Sequence, residues 1–74
     1  MVLINASNLH SGGAVQVATS FLYEISNLAD KDFSLFHVFV SSEVADELSR
    51  LNTNTTVFGH YEVINVFGLN SIFG

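Results

Sequence analysis

The chain has 74 residues, enough for one small domain, and 49% of them are hydrophobic while only 12% are charged. The net charge is −5, with Lys31 and Arg50 as the only basic side chains. With only two basic residues, the chain is not expected to bind nucleic acid or to carry a polybasic membrane-surface segment, because both need several Lys or Arg residues. The absence of cysteine excludes disulfides and thiolate metal sites.

The first predicted elements are a strand and a long helix. Residues 2–4 are a short apolar run that predicts a buried strand, and a polar stretch with two adjacent glycines, Gly12 and Gly13, follows it. Apolar residues then recur every three or four positions as far as a charged turn at 30–32, which predicts an amphipathic helix. Its predicted buried face consists of Ala14, Ala18, Phe21, Ile25 and Leu28, widened by Val15, Val17 and Leu22.

A second strand and a second helix follow. Residues 35–40 combine aromatic and β-branched side chains, which predicts a strand buried on both faces. Ser41 and Ser42 are good N-cap residues, and Glu43 suits the positive end of a helix dipole. We therefore predict a shorter helix whose buried side carries Val44, Leu48 and Leu51.

The last elements are less regular. Residues 55–58 resemble a third strand, interrupted by Gly59, and residues 62–67 fit either a further strand or a loop. The order strand, helix, strand, helix, strand predicts an α/β fold. We expect a partial Rossmann-like βαβαβ unit with a parallel sheet, forming a single incomplete domain over residues 1–74, with most phenylalanines in its core. The phenylalanines assigned to the core are Phe21, Phe36, Phe39, Phe58, Phe67 and Phe73.

The glycine pair between the first strand and the first helix is the most informative feature. Gly12 and Gly13 allow the backbone to approach a ligand closely, and the free N–H groups of the following helix suit a diphosphate without any basic side chain. The alternative is that the glycines only permit a tight turn. Their spacing matches neither the dinucleotide motif G-x-G-x-x-G nor a P-loop, which argues against a dinucleotide-binding oxidoreductase.

Three polar side chains, Asn8, His10 and Ser11, flank the glycines and are further candidate ligand contacts. The alternative is that Asn8 only stabilises the turn and that His10 is an exposed loop residue without a role. His37 fits a satisfied strand histidine and His60 a loop position, so we predict no zinc site and no other metal site. No nucleophile–base pair can be argued, and we assign no catalytic residue.

The string over residues 4–18, INASNLHSGGAVQVA, resembles the amino-terminal start of family-4 type retaining glycosyltransferases, above all bacterial members that build surface polysaccharide. A weaker likeness continues through residues 36–41 and 66–69. Members of that family have two Rossmann-like domains facing each other across a cleft, the GT-B arrangement. The resemblance implies that Gly12 and Gly13 lie near the diphosphate of the donor and near the acceptor.

By this resemblance, the chain is the first half of the acceptor-side domain of a GT-B enzyme. Such an enzyme moves a sugar from a nucleotide-diphosphate sugar to a saccharide or lipid-linked acceptor. The donor-binding domain with its Glu-x7-Glu signature has no match here, so we expect no activity from the chain alone. The amino-terminal residues lack the pattern of a signal peptide, and no stretch approaches the ~18 apolar residues of a membrane span, so we expect no transmembrane segment. The absence of cysteine fits a reducing compartment, and we expect a cytoplasmic location, either free or peripheral at the inner membrane face. We expect no cofactor. The alternative function is a non-enzymatic module that self-associates through an exposed sheet edge.

Overall fold

The computed structural model describes residues 1–28 and 31–64. The predictions for Asp30, Phe67 and Phe73, and for the part of segment 62–67 beyond Ile64, lie outside the described residues. The elements in chain order are β1 (Val2–Ala6), α1 (Gly12–Ser26), β2 (Phe36–Val40), α2 (Ser42–Arg50), a 3-10 helix (Thr55–Val57) and β3 (His60–Val63).

The three strands form one parallel sheet in the order β1-β2-β3. Ala6 pairs with Val40, and Val40 pairs with Val63, so the carboxyl ends of all three strands lie at one edge of the sheet, the carboxyl rim. Each helix connects two neighbouring strands, as parallel pairing requires. The predicted α/β class and the partial Rossmann-like βαβαβ unit are confirmed.

Both helices pack on the same face of the sheet. Ala6, Val38 and Val40 project from that face and form one core with side chains of α1 and α2. The buried core residues are Ala6, Val15, Leu22, Val38, Val40, Val44, Leu48 and Phe58. Neither of the two described helices covers the opposite face of the sheet.

The strand β2 is covered on one face only, and the prediction that it is buried on both faces is wrong. Val38 and Val40 have no exposed surface, whereas His37 and Phe39 on the other face are half-buried. On the neighbouring edge strand, Leu3 keeps 60% of its surface exposed. The apolar composition of residues 35–40 correctly predicts a strand, but composition does not reveal whether the described residues cover both of its faces.

The predicted buried face of α1 is rotated relative to the observed one. Val15, Thr19 and Leu22 are buried, whereas Phe21 is 52% exposed and Val17 is 70% exposed. Ala14 and Leu28 of the predicted face are exposed as well. Apolar residues occupy two sides of this helix, so the 3.6-residue period was correct but did not select which side packs against the sheet.

The prediction of a strand over residues 55–58 is also wrong. The side-chain oxygen of Asn54 accepts a hydrogen bond from the backbone N–H of Thr56 at 3.2 Å, and this cap begins a 3-10 helix. The strand starts only at His60, so the prediction that His60 lies in a loop is also wrong, and this residue pairs with His37. Two β-branched threonines gave residues 55–58 the composition of a strand, while the local Asn54 cap determined the turn.

Gly59 joins the 3-10 helix to β3 at a point of very close backbone approach. A Cβ atom placed on it would lie 1.8 Å from the carbonyl oxygen of Ser34 and 2.8 Å from the carbonyl carbon of the same residue. The N–H of Gly59 donates to the carbonyl oxygen of Phe33 at 3.2 Å. Gly59 therefore holds the start of β3 against residues 33 and 34, which precede β2.

Candidate functional site

The glycine pair lies at the carboxyl rim, where the chain passes from β1 into α1. Gly12 has φ of 70°, the left-handed region that favours glycine. Both Gly12 and Gly13 are exposed, and no described atom beyond their neighbours lies within 4 Å of the position that a Cβ would take. The loop is therefore open towards solvent, as a ligand-facing position requires.

The amino-terminal end of α1 has no side-chain cap in the described part of the chain. Ser11 occupies the N-cap position in an extended conformation, yet its hydroxyl makes no capping hydrogen bond, and the first turn holds no acidic residue. The first N–H groups of any helix have no partner within the helix. In α1 these N–H groups can therefore donate to an acceptor on a ligand. The positive end of the helix dipole favours an acceptor that carries negative charge.

The amino-terminal end of α2, unlike that of α1, has a side-chain cap and an acidic residue in the first turn. The side chain of Ser41 accepts a hydrogen bond from the N–H of Val44 at 3.1 Å, and Glu43 lies in the first turn, as predicted. An anion would therefore find the positive dipole end of α2 already occupied by a carboxylate. The contrast singles out α1 as the helix whose amino-terminal end is free.

Ser41 also ties the glycine loop to the rest of the rim. Its buried hydroxyl donates to the carbonyl oxygen of Leu9, and its N–H donates to the carbonyl oxygen of Ala6 at 3.2 Å. The loop that carries His10 to Gly13 is thus fixed against the junction of β2 and α2. The sequence indicated Ser41 only as a cap, and its second hydrogen bond joins residues 32 positions apart.

His10 is paired with a carboxylate of α2. Its Nδ1 lies 2.9 Å from Oε1 of Glu43, and because an ionised carboxylate only accepts, Nδ1–H is the donor. This hydrogen bond is the main reason that the pKa of Glu43 lies below its ordinary value of 4.5. The Nε2 atom is then the nitrogen of His10 left to meet a ligand.

A cavity of about 310 Å³ opens between the glycine loop and α2. Its wall is acidic: three carboxylates face one guanidinium, which lies 3.6 Å from the nearest of them, Glu47. A diphosphate is repelled by such a wall, whereas carboxylates readily accept hydrogen bonds from sugar hydroxyl groups. The cavity is lined by His10, Ser11, Gly12, Val15, Gln16, Glu43, Asp46, Glu47 and Arg50.

The structure brings together only part of the predicted set. His10, Ser11 and Gly12 line the same cavity, and Gly13 is the next helical residue. Asn8 is exposed on the same loop but does not line this cavity. The acidic residues of α2 were not predicted as part of the site, because only the tertiary fold brings them opposite the glycine loop.

The remaining two histidines meet on the open face of the sheet. His37 and His60 are register partners whose rings stack with centroids 5.8 Å apart, and Nε2 of His60 lies 3.0 Å from Oε1 of Glu62. Their proximity depends on strand register, which the sequence does not display. Within residues 1–28 and 31–64, no group of three metal-ligating side chains is assembled.

Comparison with protein-family models, curated proteins and solved structures finds no match to the chain. The resemblance to glycosyltransferases therefore stays a prediction from the sequence, based on residues 4–18 and the weaker likeness at residues 36–41 and 66–69. In the part of the chain that the structure describes, no helix has the length and apolar character needed to cross a lipid bilayer.

Proposed function

We propose that the chain forms the acceptor-side rim of a retaining, nucleotide-sugar-dependent glycosyltransferase of the GT-B type. One observation carries the proposal: the uncapped start of α1 opens at the carboxyl rim beside Gly12 and Gly13. Ligands of open α/β sheets bind at this rim. The resemblance of residues 4–18 supplies the reaction class.

The donor and the acceptor bind to two neighbouring surfaces, the start of α1 and the cavity beside it. The diphosphate of the donor sugar binds the N–H groups at the start of α1, where the backbone provides positive charge. The acceptor saccharide binds in the cavity, where Glu43 and Asp46 accept hydrogen bonds from its hydroxyl groups. The carboxylates of α2 repel the diphosphate and so keep it on the α1 side of the cavity. This repulsion helps to orient the donor sugar relative to the acceptor.

The contribution of this rim to catalysis is electrostatic. In sugar transfer the bond from the anomeric carbon to the diphosphate breaks, and negative charge accumulates on the departing diphosphate. Preorganised N–H donors stabilise that charge in the transition state more than in the ground state. The donor-binding residues come from a second domain in this proposal, so the chain alone binds ligand weakly and transfers no sugar.

The test is a titration of the full chain with uridine diphosphate, followed by amide chemical shifts. Two substitutions at one position form a matched pair: Gly13→Pro removes an N–H from the first helical turn, where proline is tolerated, and Gly13→Ala keeps it. We expect the largest shifts at Gly12 to Ala14. Gly13→Pro should weaken binding roughly tenfold, the value of one hydrogen bond to a charged group.

Gly13→Ala should bind like the unchanged chain, since the space around its Cβ is open. Equal weakening in both variants would show that the amide is not the ligand contact. Shifts spread over the surface, or none at millimolar ligand, would refute diphosphate binding at this rim. A parallel titration with a neutral oligosaccharide should instead perturb the N–H groups around Asp46.

One observation favours the alternative, self-association through the sheet. The edge strand β1 exposes Leu3 on a face that the described helices do not cover, and uncovered edges and faces are templates for pairing. Size-exclusion chromatography distinguishes the two functions. A discrete dimer without any response to uridine diphosphate would favour the module over the glycosyltransferase rim.

A further inference from the structure

A second cavity adjoins the first one along the line where α1 and α2 lie side by side. The first cavity, of about 310 Å³ between the glycine loop and α2, is here named the rim cavity. The second, here named the seam cavity, has a volume of about 170 Å³ and is lined by Gln16, Thr19, Ser20, Glu47 and Leu51. Gln16 and Glu47 line both cavities, so the two are direct neighbours on the surface of the helices.

The two cavities follow one another in a direction that leads away from the carboxyl rim. Both helices begin at that rim, because each follows a strand of the parallel sheet. From Gly12, which lines the rim cavity, to Ser20, which lines the seam cavity, α1 rises by about 12 Å. This distance is longer than one sugar ring, so a ligand that fills both cavities has more than one ring.

The lining of the seam cavity has the mixed character that a sugar residue needs. Leu51 is 43% exposed and offers apolar surface to the C–H groups of a ring. The amide of Gln16, the hydroxyl of Ser20 and the carboxylate of Glu47 lie around it as hydrogen-bonding groups. Binding sites for small molecules combine apolar contact with a few polar groups in this way.

A buried hydroxyl group without a partner belongs to the same lining. Thr19 is 5% exposed, and among residues 1–28 and 31–64 its Oγ1 has no hydrogen-bond partner. A threonine in a helix can bond the carbonyl oxygen three or four positions earlier, but Thr19 does not do so. A buried polar group that stays unpaired costs free energy, so its presence calls for a partner that the described side chains do not supply.

We propose that the acceptor is an oligosaccharide of at least two sugar residues, and that the second residue binds in the seam cavity. The inference rests on the proposed function, in which the acceptor occupies the rim cavity. The reacting sugar residue lies at the rim beside the diphosphate, and the rest of the acceptor extends between α1 and α2. The second residue packs on Leu51, and one of its hydroxyl groups is the partner of Thr19.

The test compares disaccharides with single sugars on the full chain, with amide chemical shifts as the readout. The probes are maltose, lactose and chitobiose, each paired with a methyl glycoside: methyl glucoside, methyl galactoside and methyl N-acetylglucosaminide. At least one disaccharide should bind roughly tenfold more tightly than its methyl glycoside, the value of one or two additional hydrogen bonds. Only the disaccharide should shift the N–H signals of Ser20 and Leu51.

Thr19→Val removes the hydroxyl group while nearly keeping the shape of the side chain. It should weaken binding of the disaccharide roughly fivefold, the value of one neutral hydrogen bond, and leave binding of the methyl glycoside unchanged. Valine should not lower the urea midpoint, because the hydroxyl has no described partner in the free chain. Thr53→Val is the matched control, since the Oγ1 of Thr53 is also buried and unpaired among the described residues but Thr53 lines neither cavity.

Equal affinities for each disaccharide and its methyl glycoside would overturn the proposal, and so would a lack of binding by all six sugars. Equal weakening by Thr19→Val and Thr53→Val would also overturn it, as would affinities that neither variant changes, which would leave the Thr19 hydroxyl to water. The titration with uridine diphosphate is a separate measurement. Binding of the diphosphate without any preference for disaccharides would refute only the seam cavity, whereas disaccharide binding without a response to uridine diphosphate would refute the glycosyltransferase rim.

Discussion

At the scale of single residues, Gly59 makes the tightest glycine contact in the described chain. Gly59→Ala would place a Cβ atom 1.8 Å from a backbone oxygen of Ser34, and backbone cannot rotate away as a side chain can. We expect a loss of about 3 kcal/mol in the free energy of unfolding, at the upper end of the cost of overpacking. Urea denaturation followed by circular dichroism measures the change.

Gly13→Ala is the matched control for Gly59→Ala. Gly13 is helical and has open space around its Cβ position, so alanine should leave stability unchanged or raise it by up to about 1 kcal/mol. If both alanine variants unfolded at the same urea concentration, the close approach at Gly59 would not exist in solution.

The hydrogen bond between His10 and Glu43 makes the stability of the folded chain depend on pH. The hydrogen bond from His10 favours the ionised carboxylate and is the largest cause that holds the pKa of Glu43 below 4.5, while Ser42 contributes less. A lowered pKa stabilises the folded chain above the pKa of the unfolded state. That contribution is lost as the pH falls through the folded value.

Carboxyl carbon NMR should therefore give a midpoint for Glu43 below 4.5, and His10→Ala should move this midpoint upward. Ser42→Ala removes a longer hydrogen bond of 3.2 Å and should move it less. An unchanged midpoint in His10→Ala would mean that the 2.9 Å contact is not formed.

The sequence located one half of the candidate site and missed the other. The open position of Gly12 and Gly13 followed from their place between a strand and a helix, which is local information. Glu43 was predicted only as a favourable helix-start residue. It is 33 positions from His10, and only parallel pairing of β1 with β2 brings the two loops to one rim.

At the scale of elements, Ser41 connects two segments with one side chain. Ser41→Ala removes the cap of α2 and leaves the carbonyl oxygen of Leu9 without its donor in a part-buried position. We expect a loss of about 2 kcal/mol in the free energy of unfolding from these two effects together. The amide signals of residues 9–13 should also shift, since their loop loses its anchor.

The neighbouring Ser42→Ala variant is the control for Ser41→Ala. Ser42 bonds only the exposed Glu43 among the described side chains, and its loss should change stability by less than about 0.5 kcal/mol. Shifts in the glycine loop of equal size in both variants would contradict the anchoring role of Ser41.

The two helices show why some elements are predictable and others are not. The apolar residues of α2 lie on one side, so Val44 and Leu48 were assigned correctly to the core, although Leu51 is 43% exposed. The helix α1 has apolar residues on two sides, and there the assignment of Phe21 to the buried face was wrong, while Thr19 is buried. Periodicity predicts an element, but packing against the sheet sets its rotation.

At the scale of the whole molecule, residues 1–28 and 31–64 form one small core, which lies between the helices and one face of the sheet. The described core has eight buried apolar residues, and Leu22 on α1 is one of the four that have no exposed surface. A domain of this size has roughly 3–5 kcal/mol to lose. The sequence predicted the alternating order of elements correctly, but it could not show that the described layer covers one face only.

Leu22→Ala leaves a cavity in the core and should cost about 2–5 kcal/mol, most or all of the stability of the domain, so the cooperative urea transition should disappear. Leu35→Ala makes the same chemical change at a side chain that is 65% exposed and should shift the transition by less than about 0.5 kcal/mol. Hydrogen exchange should show slow amides in β2 for Leu35→Ala and none for Leu22→Ala, and comparable transitions in both variants would mean that the helix-side core does not hold the fold together.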